Sequence, residues 1–348
     1  MMTIPSRLSA SLTVALVALA PFTALAQQQV QNPAAPPAVR LPVVPPATAP
    51  QMPQAPVVPG AAGTEQAAAG QPAGSIRVLP SLPPKVAEEA DRLGRGYLAR
   101  VQPKAPSVDL TLAEGYAARE RFLATAMPSR PAQIGWKVML TARTSQEMFG
   151  TREPIAGRIF AGQISETGAD IARDIGARAS IEVDLAVTVK DAGIMQATNP
   201  IEAAAHIASI AGYLDVPDLL LAAGEPLTAG TLAMINAGVR AGVIGKPVAM
   251  QTSPDFVAAL SNLTVRTTDG HNGAIVESRT SAILGHPLNA VVWLVGHLKA
   301  RGESLKPGDV IALGSLSRPL PLKEGQTVRA AYTGLPGNGS FDVQLSVR

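Results

Sequence analysis

Two carboxylates stand two residues apart in the run Ile181-Glu-Val-Asp-Leu-Ala-Val-Thr-Val189. The run is β-branched and aliphatic, with no Gly or Pro, and so predicts a strand. Alternation along a strand puts Glu182 and Asp184 on one face, their Cα atoms about 6.6 Å apart. Two carboxylates so placed can converge on one hard cation, which takes oxygen ligands and leaves part of its shell to water or substrate oxygens. The same spacing suits a solvated strand face, because Ser180, Ala186, Thr188 and Lys190 extend it. Pattern alone leaves both readings open.

A third carboxylate would come from another element. Asp215 and Asp218, in "GYLDVPDLLL", are the candidates. They interrupt an apolar segment, where a carboxylate wants a cation or strong donors, and Pro217 stiffens the turn between them. Asp218 serves equally as a turn cap. Lys137 is the one charge in the apolar run "IGWKVML". It either lays its stem along the surface and keeps its head in water or is held inside a site. The four histidines show no ligand spacing. His206 and His297 lie in apolar helical contexts that predict packed rings. His271 falls in the polar loop "TDGHNG". His286, between Gly285 and Pro287 at a helix start, is a candidate for a functional role.

The elements that must position these residues are partly readable. A helix is expected from Lys85. Another follows Thr111, where Thr111-Leu-Ala-Glu114 has the pattern of a capping box. A third starts at Asn199-Pro200-Ile-Glu202, with a cap, Pro at the first helical position and an acid in the first turn. Its apolar continuation "AAAHIASIAGYL" predicts helix as far as Leu214. "LNAVVWLVGHLKARG" predicts a buried helix stopped at Gly302. Turn signals at Pro307-Gly-Asp, Glu324-Gly and Pro336-Gly-Asn-Gly339 precede three closing strands. In the last of them Phe341, Val343, Leu345 and Val347 alternate with polar residues. Helices early and strands late predict α+β architecture rather than a repeating βαβ array.

Composition sets the frame. Residues 1–26 have a short basic start, an apolar run and an Ala24-Leu25-Ala26 exit, the pattern of a secretory signal peptide. Export with no cysteine in the chain fits a periplasmic or secreted protein. It also excludes disulfides, thiolate metal sites and a cysteine nucleophile. Residues 27–84 are rich in Pro, Ala and Gln, carry only Arg40, Glu65 and Arg77 as charges, and predict a disordered linker. Residues 85–348 remain as one globular domain. No segment after residue 26 is long and apolar enough to span a membrane. Basic clusters and aromatic platforms for bases are missing, so nucleic acid is not expected as a partner. There is no Gly-rich phosphate loop, HExxH or GxSxG.

Five blocks then occur in order: "GWKVMLTARTSQEMFGTREPIAGRIF", "IEVDLAVTV", "YLDVPDLLL", "ILGHPLNAVVWLVGHLKARGESLKPGDVIALGSL" and "LKEGQTVRAAYTGL". Together they resemble the 2-keto-4-pentenoate hydratase and oxalocrotonate decarboxylase group of the fumarylacetoacetate hydrolase superfamily. The resemblance implies a mixed β-sandwich roll with flanking helices. It implies Mg²⁺ or Mn²⁺ held by an E-x-E strand pair and a third glutamate, positions that correspond to Glu182, Asp184 and Asp215. The group's active-site lysine corresponds to Lys137. Asn236 matches a family asparagine, and with His286 and Ser315, which fall in the fourth block, it forms the expected substrate-binding set. The sequence also departs from the group. Asp184 and Asp215 stand where Glu is usual, Met139 replaces a glycine, Ile235 stands where an aspartate is common before Asn236, and Leu313 replaces a threonine.

The implied activity is a metal-dependent lyase, a hydratase or decarboxylase, acting on a short 2-oxo acid or its dienol. Members of the group often self-associate, so a homo-oligomer of unspecified order is expected. The departures, together with the expected export, motivate the alternative of a catalytically degenerate periplasmic protein that binds a ligand or partner on the same fold.

Overall fold

The computed structural model describes residues 82–270 and 273–348. The expected signal peptide and nearly all of the expected linker lie outside the described residues, as does His271. In chain order the elements begin with α1 (Pro84–Ala99), α2 (Leu112–Ala126), β1 (Gln133–Met139), α3 (Arg143–Met148), β2 (Ile155–Phe160), β3 (Ile164–Glu166) and β4 (Ala169–Ile171). They continue with β5 (Ser180–Val189), α4 (Pro200–Ala205), β6 (Ile207–Val216), α5 (Ala229–Met234), β7 (Ala241–Ile244), β8 (Val248–Ala249) and α6 (Pro254–Ala259). Then come β9 (Thr264–Asp269), β10 (Ala274–Arg279), α7 (Leu288–Lys299), β11 (Val310–Ala312), β12 (Leu320–Pro321), β13 (Thr327–Leu335) and β14 (Gly339–Val347).

Among the described residues the strands form two mixed sheets. The larger has nine strands along the path β2-β1-β11-β5-β6-β7-β3, with β12 paired to β5 and β8 to β6. The smaller runs β10-β9-β13-β14-β4. β1–β11, β3–β7 and β4–β14 are parallel, and the other pairs are antiparallel. No helix among the described residues is long and apolar enough to cross a membrane.

The period of β5 explains how the sheets meet. Ile181, Val183, Leu185, Val187 and Val189 share one face and enter the large core with Val265, Val328, Tyr332 and Val343 of the second sheet. The opposite face carries Glu182, Asp184 and Ala186, and Ala186 packs with Ile159, Tyr213, Val239 and Ala312 in a smaller cluster. A separate core of Leu93, Phe122, Leu232, Met139 and Ile155 joins α1, α2 and α5 to the ends of β1 and β2. Met139, which replaces the family glycine, is therefore buried under helices.

Helix starts follow the sequence signals. The Thr111 side chain accepts from Glu114 N at 3.2 Å, and Glu114 returns a bond to Thr111 N at 2.9 Å. Asn199 caps α4 by accepting from Glu202 N at 3.0 Å. The helix expected to run on to Leu214 instead stops at Ala205, and residues 207–216 form β6. Residues 210–216 are buried on both faces. Such a stretch shows no alternation, and periodicity cannot separate it from a buried helix. His206 consequently lies at the helix end, half-buried and 2.6 Å from Asp191 Oδ1, not packed in a helical core. The three closing strands are present but divided: β11 inserts between β1 and β5, while β13 and β14 belong to the second sheet.

Candidate active site

β5 and β6 place the acids. They are antiparallel in a register that sets Glu182 opposite Asp215 and Asp184 opposite Tyr213. Asp215 therefore comes from the end of a strand rather than from the turn after a helix. All three acids are buried, with exposures of 8% for Glu182, 1% for Asp184 and 2% for Asp215. This removes the solvated-face reading of the Glu182–Asp184 pair.

Lys137 enters from β1. It is 2% exposed, so it does not reach for solvent. Its strand neighbours are Gly157 on β2 and Ala312 on β11, and Ala312 pairs onward to Ala186, itself opposite Ala211. This row of small residues leaves the ammonium free to lie along the face, and Lys137 Nζ sits 2.6 Å from Asp215 Oδ2. The contact is close, yet neither atom has a well-aligned hydrogen-bond partner. Asp184 is held differently. Its Oδ1 accepts from the N–H of Leu185 at 2.5 Å and of Gly314 at 2.8 Å. Gly314 has φ +125°, and a Cβ there would stand 2.3 Å from Thr141 Oγ1, so only glycine brings this N–H to the carboxylate. From the second sheet, Tyr332 Oη donates to the Asp184 carbonyl oxygen. Gly212 makes room for that ring, since an added Cβ would lie 2.6 Å from Tyr332 Cε2.

The electrostatics follow from burial. Glu182 is pushed up to about 7, chiefly by loss of solvent and further by the charge of Asp215, against the pull of Lys137 and a hydrogen bond from Ser315. Asp184 is raised well above the usual carboxylate range by burial and by Asp215, despite its two N–H donors. Asp215 is raised by burial, with Lys137 acting in the opposite sense. Tyr213 is pushed up by burial and by the charges of Asp215 and Asp184.

Three carboxylates against one ammonium leave a formal deficit of two positive charges when all are ionised. That deficit, in hard oxygen donors, is what a divalent cation fits. Among the described residues, no three His, Cys, Asp or Glu side chains already converge at ligand distance. One Asp184 oxygen is turned onto backbone N–H groups and one Asp215 oxygen onto Lys137. The donor set therefore suits such an ion in charge and chemistry, with the lysine placed to compete for Asp215.

The remaining expected site residues divide. Ser315 lies near enough to Glu182 to help lower its pKa, while its Oγ donates to Ser317 O at 2.9 Å. Asn236 is not assigned there: its Oδ1 accepts from Arg158 N at 2.7 Å and its Nδ2 donates to Arg158 O at 2.8 Å, so its amide clamps β2. Both ring nitrogens of His286 are likewise engaged with backbone. Its Nε2 bonds Val257 O at 2.8 Å and its Nδ1 accepts from Leu288 N at 3.1 Å, which ties the chain just before α7 to α6. Burial lowers its pKa and favours the neutral ring that this pairing needs. Asp218 accepts from Ala177, Arg178 and Leu220 N–H groups, the turn-capping alternative. Gly314 and Tyr332 were not singled out from the sequence. Gly314 carries the one available signal, a glycine two residues past the strand that pairs with the E-x-D strand.

Residues 142–339 match the family model described as fumarylacetoacetate (FAA) hydrolase C-terminal. The chain is 27% identical over 258 residues to 2-oxo-hept-4-ene-1,7-dioate hydratase of Escherichia coli, covering 70% of this chain and 92% of that one. It is 24% identical over 247 residues to 2-keto-4-pentenoate hydratase of Burkholderia vietnamiensis, covering 71% and 91%. A solved structure of 4-oxalocrotonate decarboxylase from Pseudomonas putida G7, complexed with magnesium and adipate, superposes with a TM-score of 0.63 at 21% identity, over 76% of this chain and 96% of that one. A second structure of that protein, complexed with calcium and acetate, gives 0.64. These likenesses establish the fold as FAA hydrolase-like. The matched segment spans more than half of the sequence and contains both acid-bearing strands and the Gly314 turn; the chain belongs to the fumarylacetoacetate hydrolase family.

Proposed function

We propose that the protein is a lyase, a hydratase or decarboxylase, acting on a short 2-oxo acid or its dienol with Mg²⁺ or Mn²⁺ bound. The observation that carries this reading is the meeting of Glu182, Asp184 and Asp215 with Lys137 in a buried cluster on two paired strands and a third. Glu182, Asp184 and Asp215 would hold the cation, whose contribution when bound is to polarise the 2-oxo group and stabilise developing enolate charge. Lys137, released from Asp215, would anchor the substrate carboxylate or move a proton at the carbon next to the oxo group. Glu182 joins the metal-ligand role to a protonatable carboxyl whose pKa burial brings near neutrality. Gly314 N–H and Tyr332 fix the Asp184 strand so that the acid face keeps its geometry. The hydratases and decarboxylase that the chain resembles support the lyase class. In this reading the signal-peptide pattern of residues 1–26 supports a site of action outside the cytoplasm.

Thermal unfolding tests it. Mg²⁺ or Mn²⁺ at about a hundred times its Kd should stabilise the protein by about 2.7 kcal/mol, with oxalate adding a further shift. Glu182→Ala should abolish both. A melting temperature indifferent to millimolar cation and oxalate would remove the lyase reading. Binding without turnover is the second reading, favoured by the lock of Asp184 on backbone N–H groups and of Asp215 on Lys137. Cation and oxalate shifts with no loss of the dienol absorbance of 2-hydroxypenta-2,4-dienoate would select it.

A further inference from the structure

The face of β1 and β2 opposite Lys137 holds a second group of buried charges. Trp136 and Arg158 are register partners, each one residue from the Lys137–Gly157 pair, so they lie on the other side of the larger sheet from the ammonium. Arg119 of α2 joins them. Its guanidinium carbon is 5.9 Å from the centre of the Trp136 ring, and that of Arg158 is 5.6 Å from it. All three residues are buried, Arg158 being the most exposed at 5%. Arg119 Nε, Arg158 Nε and Trp136 Nε1 have no hydrogen-bond partner. These atoms can only donate, so the group is short of acceptors. A buried N–H without an acceptor is costly.

A cavity of ≈ 220 Å³ reaches this group between the C-terminal half of α2 and the starts of β1 and its turn, with Arg158 in its lining. The volume is below the usual drug-sized range, which limits an occupant to a small molecule. Leu123, Met127, Pro131 and Phe160 give it mainly apolar walls. Its ionisable lining residues are Arg158, Arg130, which is exposed, and Glu120, which is paired with Arg158. That count is one positive charge in excess. Arg119 and Glu303, which contact the same groups, add one charge of each sign and leave the excess unchanged. Glu120 and Glu303 take Arg158 Nη1 and Nη2, and Nε is left over.

We propose that this cavity is a binding site for a short alkyl carboxylate, separate from the acid cluster. The carboxylate accepts from Arg158 Nε, with Arg130 as its second cation, and the alkyl chain lies along Leu123, Met127 and Phe160. A monoanion cancels the surplus charge and supplies the missing acceptor. A phosphate dianion overshoots that charge and brings no apolar surface to the walls. A neutral amide keeps the chain but forfeits the charge-assisted bond. Each methylene moved from water to these walls should tighten binding about fourfold.

Titration of the full chain in chelator, by calorimetry and by tryptophan fluorescence, tests this. The chain has two tryptophans, and Trp293→Phe leaves Trp136, packed on Arg158, as the reporter. Butyrate should bind saturably, on the order of tenfold tighter than acetate, butyramide or inorganic phosphate. Ala124→Leu fills the lined space without removing a charge and should weaken butyrate about tenfold. Arg130→Gln should weaken it severalfold and reduce its salt dependence. Mn²⁺ with oxalate, the probes of the acid cluster, should leave butyrate affinity unchanged, so this site and the lyase reading fail separately. No saturable response to butyrate by either method would overturn the proposal and leave water as the acceptor. Phosphate binding tighter than butyrate would overturn the carboxylate assignment. Butyrate binding that survives Ala124→Leu, or that Mn²⁺ and oxalate displace, would place the ligand elsewhere and overturn the site.

Discussion

Glu182 is the residue on which the chemistry and the stability of the cluster both bear. Its pKa in the folded protein is about 7, against 4.5 for the free side chain. Between those values the folded chain keeps a proton that the unfolded chain has released, so stability falls as pH rises through this window. For cation-free protein the loss from this group is on the order of 3 kcal/mol by pH 7. Denaturant titrations in chelator at pH 4.5 and 7.5 should show it, and Glu182→Gln should flatten that part of the profile; an unchanged slope would mean that Glu182 ionises freely. The sequence made the identities of Lys137, Glu182, Asp184 and Asp215 legible, because each is a charge inside an apolar run. It could not show that they are buried. The period of β5 puts acids on one face, and only the roll of the sheet decides whether that face meets water. Asn236 was named only through the family resemblance and His286 through its place at a helix start, and the backbone partners Arg158 and Val257 that occupy them lie far away in sequence.

At the scale of elements, the E-x-D strand depends on contacts from the second sheet. Gly212→Ala would press a methyl group to 2.6 Å from Tyr332 Cε2 and 3.0 Å from Val343 Cγ1. Overpacking of this kind costs about 1–3 kcal/mol. Because the same ring holds the Asp184 carbonyl, the variant should lose cation affinity as well as stability. A Gly212→Ala protein with an unchanged melting temperature and cation response would show that Tyr332 is not needed for the site. The cap signals at Thr111 and Asn199 were readable because capping is local chemistry. β6 was not, because Ile207–Val216 is strand only through its pairing with β5, β7 and β8. Its misreading as helix matters most, since that pairing is what sets Asp215 opposite Glu182.

Across the whole molecule, charge is also buried where the helical layer meets the larger sheet. Arg119 of α2 and Arg158 of β2 lie among Glu120 and Glu303, with Arg158 Nη2 at 2.7 Å from Glu303 Oε2. His297 of α7 packs beside them, its ring 4.7 Å from Trp293 and 4.9 Å from Tyr116. Burial, with the charges of Arg301 and Arg119, takes its pKa down to about 3 from 6.5. The unfolded chain therefore binds a proton that the folded one refuses as pH falls from 6.5 toward 3, and stability is lost over that interval. His297→Phe keeps an aromatic ring there and should make the acid limb shallower by a few kcal/mol. An unaltered acid limb would place the proton uptake elsewhere. The α+β class and the closing strands were legible in turn signals and alternation. The insertion of β11 between β1 and β5, which carries Gly314 to Asp184, is a long-range pairing that no local pattern records.

The lysine bound to Asp215 has a consequence for the order of events in the life of the chain. An interior holding only acids would have to close on protons alone or wait for an ion. With an ammonium supplied by its own first strand, the polypeptide can complete its architecture in an ion-poor medium and take up its charge partner afterwards. Under the metal-dependent reading proposed above, maturation would then be an exchange of one counter-charge for another inside a finished shell.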